Sequence, residues 1–418
     1  MNFQTHTKGT VINMRDFSKY YLDIKKNYNT ATAEAVESFY SIYTDRIYEW
    51  LGGLWDKEVG GFYYSVSARD NEPYFPDIES TSQAFNFLHS EGIVDSFDGY
   101  PTAMKDKAVK FIASCQDPVD GYFYHKGWGK NISTSRRTRD MEKGLSVIRG
   151  FGGSPLYPTA YERLAAAAAS GTAEAENSTV PEHLRSEAAL KRYLDELDLN
   201  GLKTKGASYG CGSRIGQQFR EIMAAGLGDF CLDYLNSKQY ENGLWEKELS
   251  YGSVNGLMKI SGAYRSMKRE LPHAENAFNA ALDIALLDTK ITGLVDVYNP
   301  PFIMLNLFDL MTNLGQTDIM ERCKKRLLEK APELLEIAKK KVLLFAEPDG
   351  AFSYCIGCPS PTSQGQPVCV PRLPESDVNA NSLAQGARTM TFTALGIPKM
   401  PLFGEEDAKR FFEIAGEI

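Results

Sequence analysis

The sequence contains no uninterrupted apolar run of about 18 residues, the length that a membrane-spanning helix needs. It also lacks a basic excess, because 46 Lys and Arg residues stand against 54 Asp and Glu, a formal net charge of −8 at pH 7. Proteins that bind the phosphate backbone of nucleic acids usually present a basic surface. These absences argue against a membrane span and against nucleic acid as a partner.

Motifs that identify several common enzyme classes are also missing. There is no G-x4-G-K-[ST] phosphate-binding loop, no strand followed by G-x-G-x2-G, and no H-E-x2-H. Nucleotide-dependent and zincin chemistries are therefore not expected, and we predict no cofactor. The N-terminus has no basic segment followed by an apolar one, so we expect a cytoplasmic protein, or a secreted one if a leader has been removed.

The seven cysteines fall into two groups. Cys355 and Cys358 are two residues apart and are followed by Cys369, so they can share a metal ion, form a disulfide, or do neither. No fourth ligand is evident nearby, and we assign no metal-binding residue. The other thiols stand singly in apolar or helical segments, where we expect them to be buried and reduced. They are Cys115, Cys211, Cys231 and Cys323.

Helical periodicity dominates the chain. Apolar residues recur at positions i, i+3, i+4 and i+7 in most segments, the pattern of amphipathic helices, and about ten to twelve helices fit it. Alternation with a period of two appears only in short stretches such as GGFYYSV, residues 60–66. The pattern predicts an all-α fold with short β-hairpin decorations.

One phrase occurs four times: a helix end, a polar turn, a glycine, and then aromatic residues. The copies centre on Gly61, Gly121, Gly243 and Gly350. The first two are about 60 residues apart, the length of two helices with their loops. Pairs of helices bury one face only, so stacked pairs that accumulate curvature close into a ring. We predict one domain over 1–418, an (α/α)6-type barrel or toroid of about six helical hairpins.

A low-complexity segment, residues 164–183, separates the two halves of the chain. It has the sequence LAAAAASGTAEAENSTVPEH, an alanine run followed by polar residues. We predict an exposed loop or frayed helix there. This interpretation is favoured over a domain linker because the repeated phrase occurs on both sides of the segment.

The repeated phrase resembles that of a known superfamily. Gln239, Gly243 and Trp245 match the Q-x3-G-x-W phrase of the terpenoid-cyclase and prenyltransferase α/α toroids. The sequence DIESTS, residues 77–82, is similar to the D-x-D-D-T-A helix start of that superfamily, with Glu and Ser replacing two aspartates. The turn GGFYYSVSARDNEP is also similar to turns of (α/α)6-barrel carbohydrate-active enzymes. Both resemblances imply an α/α toroid with a central cavity.

The candidate site residues are carboxylates at helix starts and a basic, aromatic segment. A carboxylate at a helix start can cap the helix or act as a general acid or base. In the segment 124–144, arginines that can bind a carboxylate in bidentate fashion stand beside Trp and His. The candidate catalytic residues are Asp77, Glu79, His125, Asp140 and Tyr209. The candidate substrate-binding residues are Trp128, Arg136, Arg139, Arg214, Tyr251 and Asn255.

These residues predict a carbohydrate-active enzyme that cleaves an acidic, uronic-acid-containing oligo- or polysaccharide. A hydrolase would use two carboxylates. A lyase would use His125 or Tyr209 to move a proton while Arg or Asn neutralises the sugar carboxyl group. A terpenoid-cyclase-like enzyme with an aromatic cavity, a sugar epimerase and a non-catalytic binding toroid are the alternatives. We also expect six residues to converge on one pocket: Asp77, Glu79, His125, Arg136, Arg139 and Asp140.

Overall fold

Short polar side chains set the starts of several long helices. The structure, a computed structural model, describes residues 17–170 and 180–418. Asp77, Ser133 and Asp377 each accept a hydrogen bond from the backbone N–H three residues later, at 3.0, 3.1 and 2.7 Å. Such caps satisfy N–H groups that have no partner within the first turn of the helix.

The described residues form eighteen α-helices and two small antiparallel sheets. The all-α class is therefore confirmed. No helix in the described ranges has the length and apolar character required to cross a bilayer. The helices are α1 (Phe17–Asn27), α2 (Thr30–Tyr40), α3 (Arg46–Gly52), α4 (Val66–Asp70), α5 (Ile78–Ser90), α6 (Thr102–Ala113), α7 (Thr134–Gly150), α8 (Ala160–Ser170), α9 (Glu187–Asp195), α10 (Ala207–Ala224), α11 (Gly228–Asn236), α12 (Tyr251–Met267), α13 (Ala274–Leu286), α14 (Val295–Asn313), α15 (Thr317–Glu329), α16 (Ala331–Leu343), α17 (Val378–Leu395) and α18 (Glu405–Ala415). The strands are β1 (Trp55–Asp56), paired with β2 (Gly61–Phe62), and β3 (Thr362–Ser363), paired with β4 (Gln366–Pro367).

Six helices contact one another in a cycle. Helix α5 packs against α7, α7 against α10, α10 against α12, α12 against α14, α14 against α17, and α17 against α5. Other helices pack on members of this cycle: α6 on α7, α8 on α10, α13 on α14, and α16 on α17. One hydrophobic cluster includes residues from Ile24 in α1 to Phe412 in α18.

The four glycine-aromatic turns share a left-handed glycine. Gly121, Gly243 and Gly350 have φ of +77°, +79° and +93°, and in the first copy Gly60 takes this conformation with φ +85°. A Cβ on Gly243 would lie 2.3 Å from the backbone nitrogen of Ala277 in α13, so no side chain fits there. The repeated phrase is thus a turn that packs closely on a following helix. The aromatic residues after the glycines are buried: Phe62, Phe123, Trp245 and Phe352.

Helices α10 and α12 approach closely because glycines with a four-residue spacing face each other. Gly212 and Gly216 lie on one face of α10, and Gly252 and Gly256 lie on one face of α12. A Cβ on Gly216 would lie 2.1 Å from the carbonyl oxygen of Lys259. The close contact therefore holds the backbone of α12 at Lys259 against α10.

We expect Gly216→Ala to be less stable than Gly210→Ala by about 1 to 3 kcal/mol, the usual cost of overpacking. Gly210 is a matched control in the same helix, because a Cβ there would meet no atom within 4 Å. Both substitutions gain the same helix propensity, so their difference isolates the contact with α12. Urea unfolding measures both variants, and equal stabilities would contradict the close packing.

The first part of the low-complexity segment 164–183 is helical. Residues 164–170 belong to α8, which continues through the alanine run, and alanine is the best helix-forming residue. Residues 171–179 lie outside the described residues. A short 3-10 helix, Glu182–Leu184, ends the segment.

Candidate functional site

A cavity of about 630 Å³ lies among the six helices of the cycle. All six contribute side chains to its wall, together with the segment between α16 and α17. On α17 the lining residues extend from Asn379 to Thr393, fourteen steps of about 1.5 Å, so the cavity follows this helix for about 21 Å. Amide groups that can bind hydroxyls are frequent in the wall: Gln83, Asn86, Asn299, Asn379 and Gln385.

The lining is basic. Arg139 and Lys143, one turn apart on α7, and Lys259 on α12 reach the cavity, and Lys399 borders it beyond the end of α17. Burial, with a contribution from Arg139, lowers the pKa of Lys143 and brings the pKa of Lys259 to about 7. No Asp or Glu among the residues that the structure describes lines the cavity. An acidic protein thus encloses a cavity suited to an anion.

Tyrosines surround these cations. The Nζ atom of Lys259 lies 5.6 Å from the ring centroid of Tyr209, which also adjoins Tyr354 and Asn299. Burial raises the pKa of Tyr209 and raises that of Tyr298 to about 12, so both phenols are protonated at neutral pH. Such groups can donate a hydrogen bond or a proton, and their rings can pack on a sugar.

A buried ion-pair cluster lies behind the wall of the cavity and is centred on Arg136. The Arg136 side chain is fully buried and donates to Asp140 from Nε at 2.9 Å and from Nη2 at 2.6 Å. It also donates to Glu79 at 3.0 Å and to Asp77 at 3.3 Å. Burial raises the pKa of Asp140 to about 7, more than Arg136 lowers it. This arrangement brings together four residues that the sequence placed in one site.

Glu79 connects the cluster to the cavity. Glu79 Oε2 accepts from Arg136 at 3.0 Å and from the Ser363 hydroxyl at 2.9 Å, and Oε1 accepts from Arg139. Burial alone would raise the pKa of Glu79, but Arg139, Arg136, Lys143 and Ser363 lower it to about 2. Glu79 is therefore ionised at neutral pH, and it orients Arg139 toward the cavity.

His125 lies away from the cavity. Its ring stacks on Phe75, with centroids 3.8 Å apart and planes at 9°, and its Nδ1 accepts a hydrogen bond from Gly127 N at 3.1 Å. Burial, then Arg136 and Lys126, lower the pKa of His125 to about 4, so the ring is neutral at neutral pH. His125 borders a separate surface pocket. His125 therefore does not join Arg139 at the cavity, because it is not among the residues that line the cavity.

Two predicted substrate-binding residues do not line the cavity. The half-buried Trp128 ring covers the Arg136 guanidinium, whose carbon lies 4.4 Å from the ring centroid. Trp128 thus shields the ion-pair cluster. The Arg214 side chain is exposed on α10.

Two others support the wall or lie near its end. Asn255 is buried, donates to Asp296 at 3.0 Å, and accepts from Asn299, a lining residue, at 2.8 Å. Tyr251 begins α12 and accepts a hydrogen bond from Lys341 at 3.0 Å. Of the predicted site residues, Tyr209 and Arg139 line the cavity directly.

Four residues that line the cavity were not among the predicted site residues: Lys143, Lys259, Tyr298 and Tyr354. The sequence does carry a signal for Lys259, because it is the single charged residue in the stretch of α12 between Tyr251 and Arg265. The glycines at four-residue spacing in α10 and α12 indicate the same region, because they bring the α12 backbone at Lys259 against α10. Lys143 follows Arg139 by one helical turn, which puts the two cations on one face.

Residues 206–210, Gly-Ala-Ser-Tyr-Gly, have the G-x-S-x-G spacing of some serine nucleophiles. Ser208 is fully buried, and its hydroxyl donates to the Gly252 carbonyl at 3.4 Å. The segment opens α10 without a preceding strand, so it lacks the strand-to-helix turn that exposes such a serine. The motif is structural here.

The cysteines are free thiols, and the four that stand singly in sequence are buried, as expected. Cys369 is also buried, whereas Cys355 and Cys358 are half-buried. Within residues 17–170 and 180–418, no group of three or more His, Cys, Asp or Glu side chains is arranged to hold a metal ion.

The cavity combines buried cations, phenols and amide groups. The cations can bind an anion, and the amides and phenols can bind hydroxyl groups around it. Comparison of the chain with family models, with curated proteins and with solved structures found no match.

Proposed function

We propose that this chain is a carbohydrate-active enzyme that cleaves an acidic, uronic-acid-containing oligo- or polysaccharide, and that the six cavity-lining helices are the inner ring of an (α/α)6-type barrel. The basic lining of the cavity carries the proposal: Arg139, Lys143 and Lys259 reach it, and no described Asp or Glu does. Arg139 suits a sugar carboxylate because its guanidinium carries five N–H donors, of which those on Nε and Nη2 face Glu79 and the others can reach a ligand. The amide side chains suit the ring hydroxyls.

The lining favours elimination over hydrolysis. Glycoside hydrolases place two carboxyl groups on either side of the scissile bond. Here Glu79 is held by two arginines, and Asp140 is fully buried against Arg136. A lyase needs a cation on the sugar carboxylate, a base and an acid, and the cavity offers all three.

In the proposed elimination, the neutral amine of Lys259 removes the proton at C5 of the uronate. The electron pair forms the double bond between C4 and C5 as the C4–O bond breaks, and the departing oxygen takes the proton of Tyr209. Arg139 and Lys143 stabilise the negative charge that develops on the carboxylate. A base with a pKa near the working pH is efficient, and the pKa of Lys259 is about 7.

The alternatives fit the cavity less well. A terpenoid-cyclase-like site should be apolar and aromatic, whereas this one contains cations and amides. A scaffold that only binds partners on its outside would fill its centre with core side chains, and a cavity of about 630 Å³ argues against that. A sugar epimerase would use the same base without cleaving the chain, so its product distinguishes it.

We expect Lys259→Ala to lower the rate of polyuronate cleavage by about 10²- to 10⁴-fold, the usual contribution of a general base. The assay follows the ultraviolet absorbance of unsaturated uronate released from polygalacturonate, alginate or a polyglucuronate. Lys247→Ala is the matched control, because Lys247 Nζ also lies 5.6 Å from a tyrosine ring, that of Tyr240, but on the surface. Its activity should equal that of the unmodified chain.

Three other outcomes would contradict the lyase mechanism or the acidic-sugar proposal as a whole. New reducing ends without the absorbance of unsaturated uronate would indicate a hydrolase and contradict the lyase mechanism. An inverted uronate without cleavage would indicate an epimerase. No product from any of these polymers, with no binding of the oligouronates by calorimetry, would overturn the acidic-sugar proposal.

A further inference from the structure

Cys355 and Cys358 face each other across a two-residue turn. Cys355 N donates to Cys358 O at 3.0 Å, and Cys358 N donates to Cys355 O at 3.4 Å, so the two form an antiparallel hydrogen-bonded pair. The Cα atoms of such a pair are about 5.5 Å apart. Disulfides span Cα separations of about 4.4 to 6.8 Å. The turn itself is permitted by Gly357, whose φ is +81°.

The two thiols are accessible. Both residues are half-buried, and Ile356 between them is 50% exposed. Burial raises the pKa of Cys355, and the proximity of the Cys358 thiol raises it further. The third cysteine of the region, Cys369, is buried and donates from Sγ to Ser360 O at 3.5 Å. An oxidant can therefore reach the first two more easily than the third.

The turn belongs to a cover segment, residues 354–364, that borders the cavity. Tyr354 and Ser360, on either side of the turn, both line the cavity. Tyr354 O accepts a hydrogen bond from Leu294 N at 3.0 Å, and Tyr354 N donates one to the Asp377 carboxylate at 2.7 Å. These two bonds anchor the near end of the cover segment.

The far end of the cover segment reaches across to other helices. Ser363 donates to Glu79 on α5 at 2.9 Å, and Gln364 O accepts from Ser133 at the start of α7 at 3.0 Å. A crosslink between Cys355 and Cys358 would shorten the free chain between the two anchored ends.

We propose that Cys355 and Cys358 are a redox modification site, forming a reversible disulfide that stiffens the cover segment at the mouth of the cavity. With oxidised glutathione as the oxidant, one thiolate attacks a glutathione sulfur and releases the first glutathione thiol. The second thiolate then attacks the mixed disulfide and releases the other. The pair loses two electrons and two protons, and glutathione disulfide is reduced to two thiols.

Peptide mapping of the full chain tests the crosslink. After oxidation with glutathione disulfide and alkylation, the tryptic peptide of residues 342–372, which contains all three cysteines of this region, should carry one alkyl group, on Cys369. Two of the seven thiols should be lost, and dithiothreitol should restore both. Cys369→Ser should still form the crosslink, and neither Cys355→Ser nor Cys358→Ser should.

Hydrogen exchange tests the effect on the cover segment. Amides of residues 354–364 should exchange more slowly in the oxidised chain than in the reduced chain, and Cys358→Ser should show no difference between the two treatments. A crosslink to Cys369, glutathione retained on both thiols, or identical exchange in the two forms would overturn the proposal. None of these measurements depends on the activity proposed for the cavity.

Discussion

Replacing Arg136 with alanine is expected to lower the free energy of unfolding by about 3 to 5 kcal/mol, the usual cost of breaking a buried ion pair by removing one partner. The Arg136 side chain is 0% exposed, and three carboxylates, those of Asp77, Glu79 and Asp140, depend on it. In the variant these groups would stay buried with one fewer cation. Urea unfolding at neutral pH measures the loss.

Arg220→Ala is the control for this variant. Arg220 pairs with Glu142 at 2.9 Å, but its side chain is 57% exposed. Exposed pairs contribute about 0 to 1 kcal/mol, so this substitution should have a small effect. Similar losses in the two variants would show that burial does not control the strength of the Arg136 contacts.

The pH dependence supplies an independent test. The folded-state pKa of Glu79 is about 2, below the ordinary value of about 4.3, so its contribution to stability is lost as pH falls through that interval. The folded-state pKa of Asp140 is about 7, above the ordinary value of about 3.9, so its contribution is present below about pH 3.9 and is lost as pH rises from there to about 7. We therefore expect the combined contribution of these two groups to be largest near pH 4 and to decline between about pH 4 and 7. In Arg136→Ala the destabilisation should shrink in acid, because the unpaired carboxylates can take up protons.

Trp245→Ala should also cost about 3 to 5 kcal/mol, the usual loss for a large buried aromatic side chain. Trp245 is 0% exposed and follows the left-handed Gly243 of the third glycine-aromatic turn. Its indole N–H donates to Leu235 O at 2.9 Å, a carbonyl in the last turn of α11. The substitution would leave a void and remove one of the hydrogen bonds to the Leu235 carbonyl, which also accepts from Lys238 N at 3.1 Å. Thermal and urea unfolding measure the change.

Two further variants separate these contributions. Trp245→Phe keeps much of the ring volume but loses the indole donor, so the lost hydrogen bond should account for about 0.5 to 1.5 kcal/mol of its destabilisation. Tyr157→Ala removes an aromatic side chain that is 41% exposed and should change stability by less than about 0.5 kcal/mol. An unchanged melting temperature for Trp245→Ala would mean that the turn does not hold neighbouring helices together.

Local features of the chain were predictable because they depend on neighbours in sequence. The helical periodicity, the cap at Asp77, and the glycine that must turn before a buried aromatic all depend on a few adjacent residues. The class of the fold follows from these features. The alanine run in α8 was compatible with either a loop or a helix, because it is low in complexity and is also a good helix former.

The sequence by itself determined the all-α class, the repeated turn, and the concentration of arginines beside Trp and His in one segment. Only the tertiary structure decided what each of those side chains contacts. Arg136 and Arg139 are three residues apart, yet one is enclosed by carboxylates while the other reaches the cavity. Periodicity tells which residues share a face of a helix, whereas the partner of that face depends on contacts between residues far apart in sequence. For the same reason Lys259 and Arg139 both line the cavity, although they are 120 residues apart in sequence. His125 is closer to Arg139 in sequence but does not line the cavity.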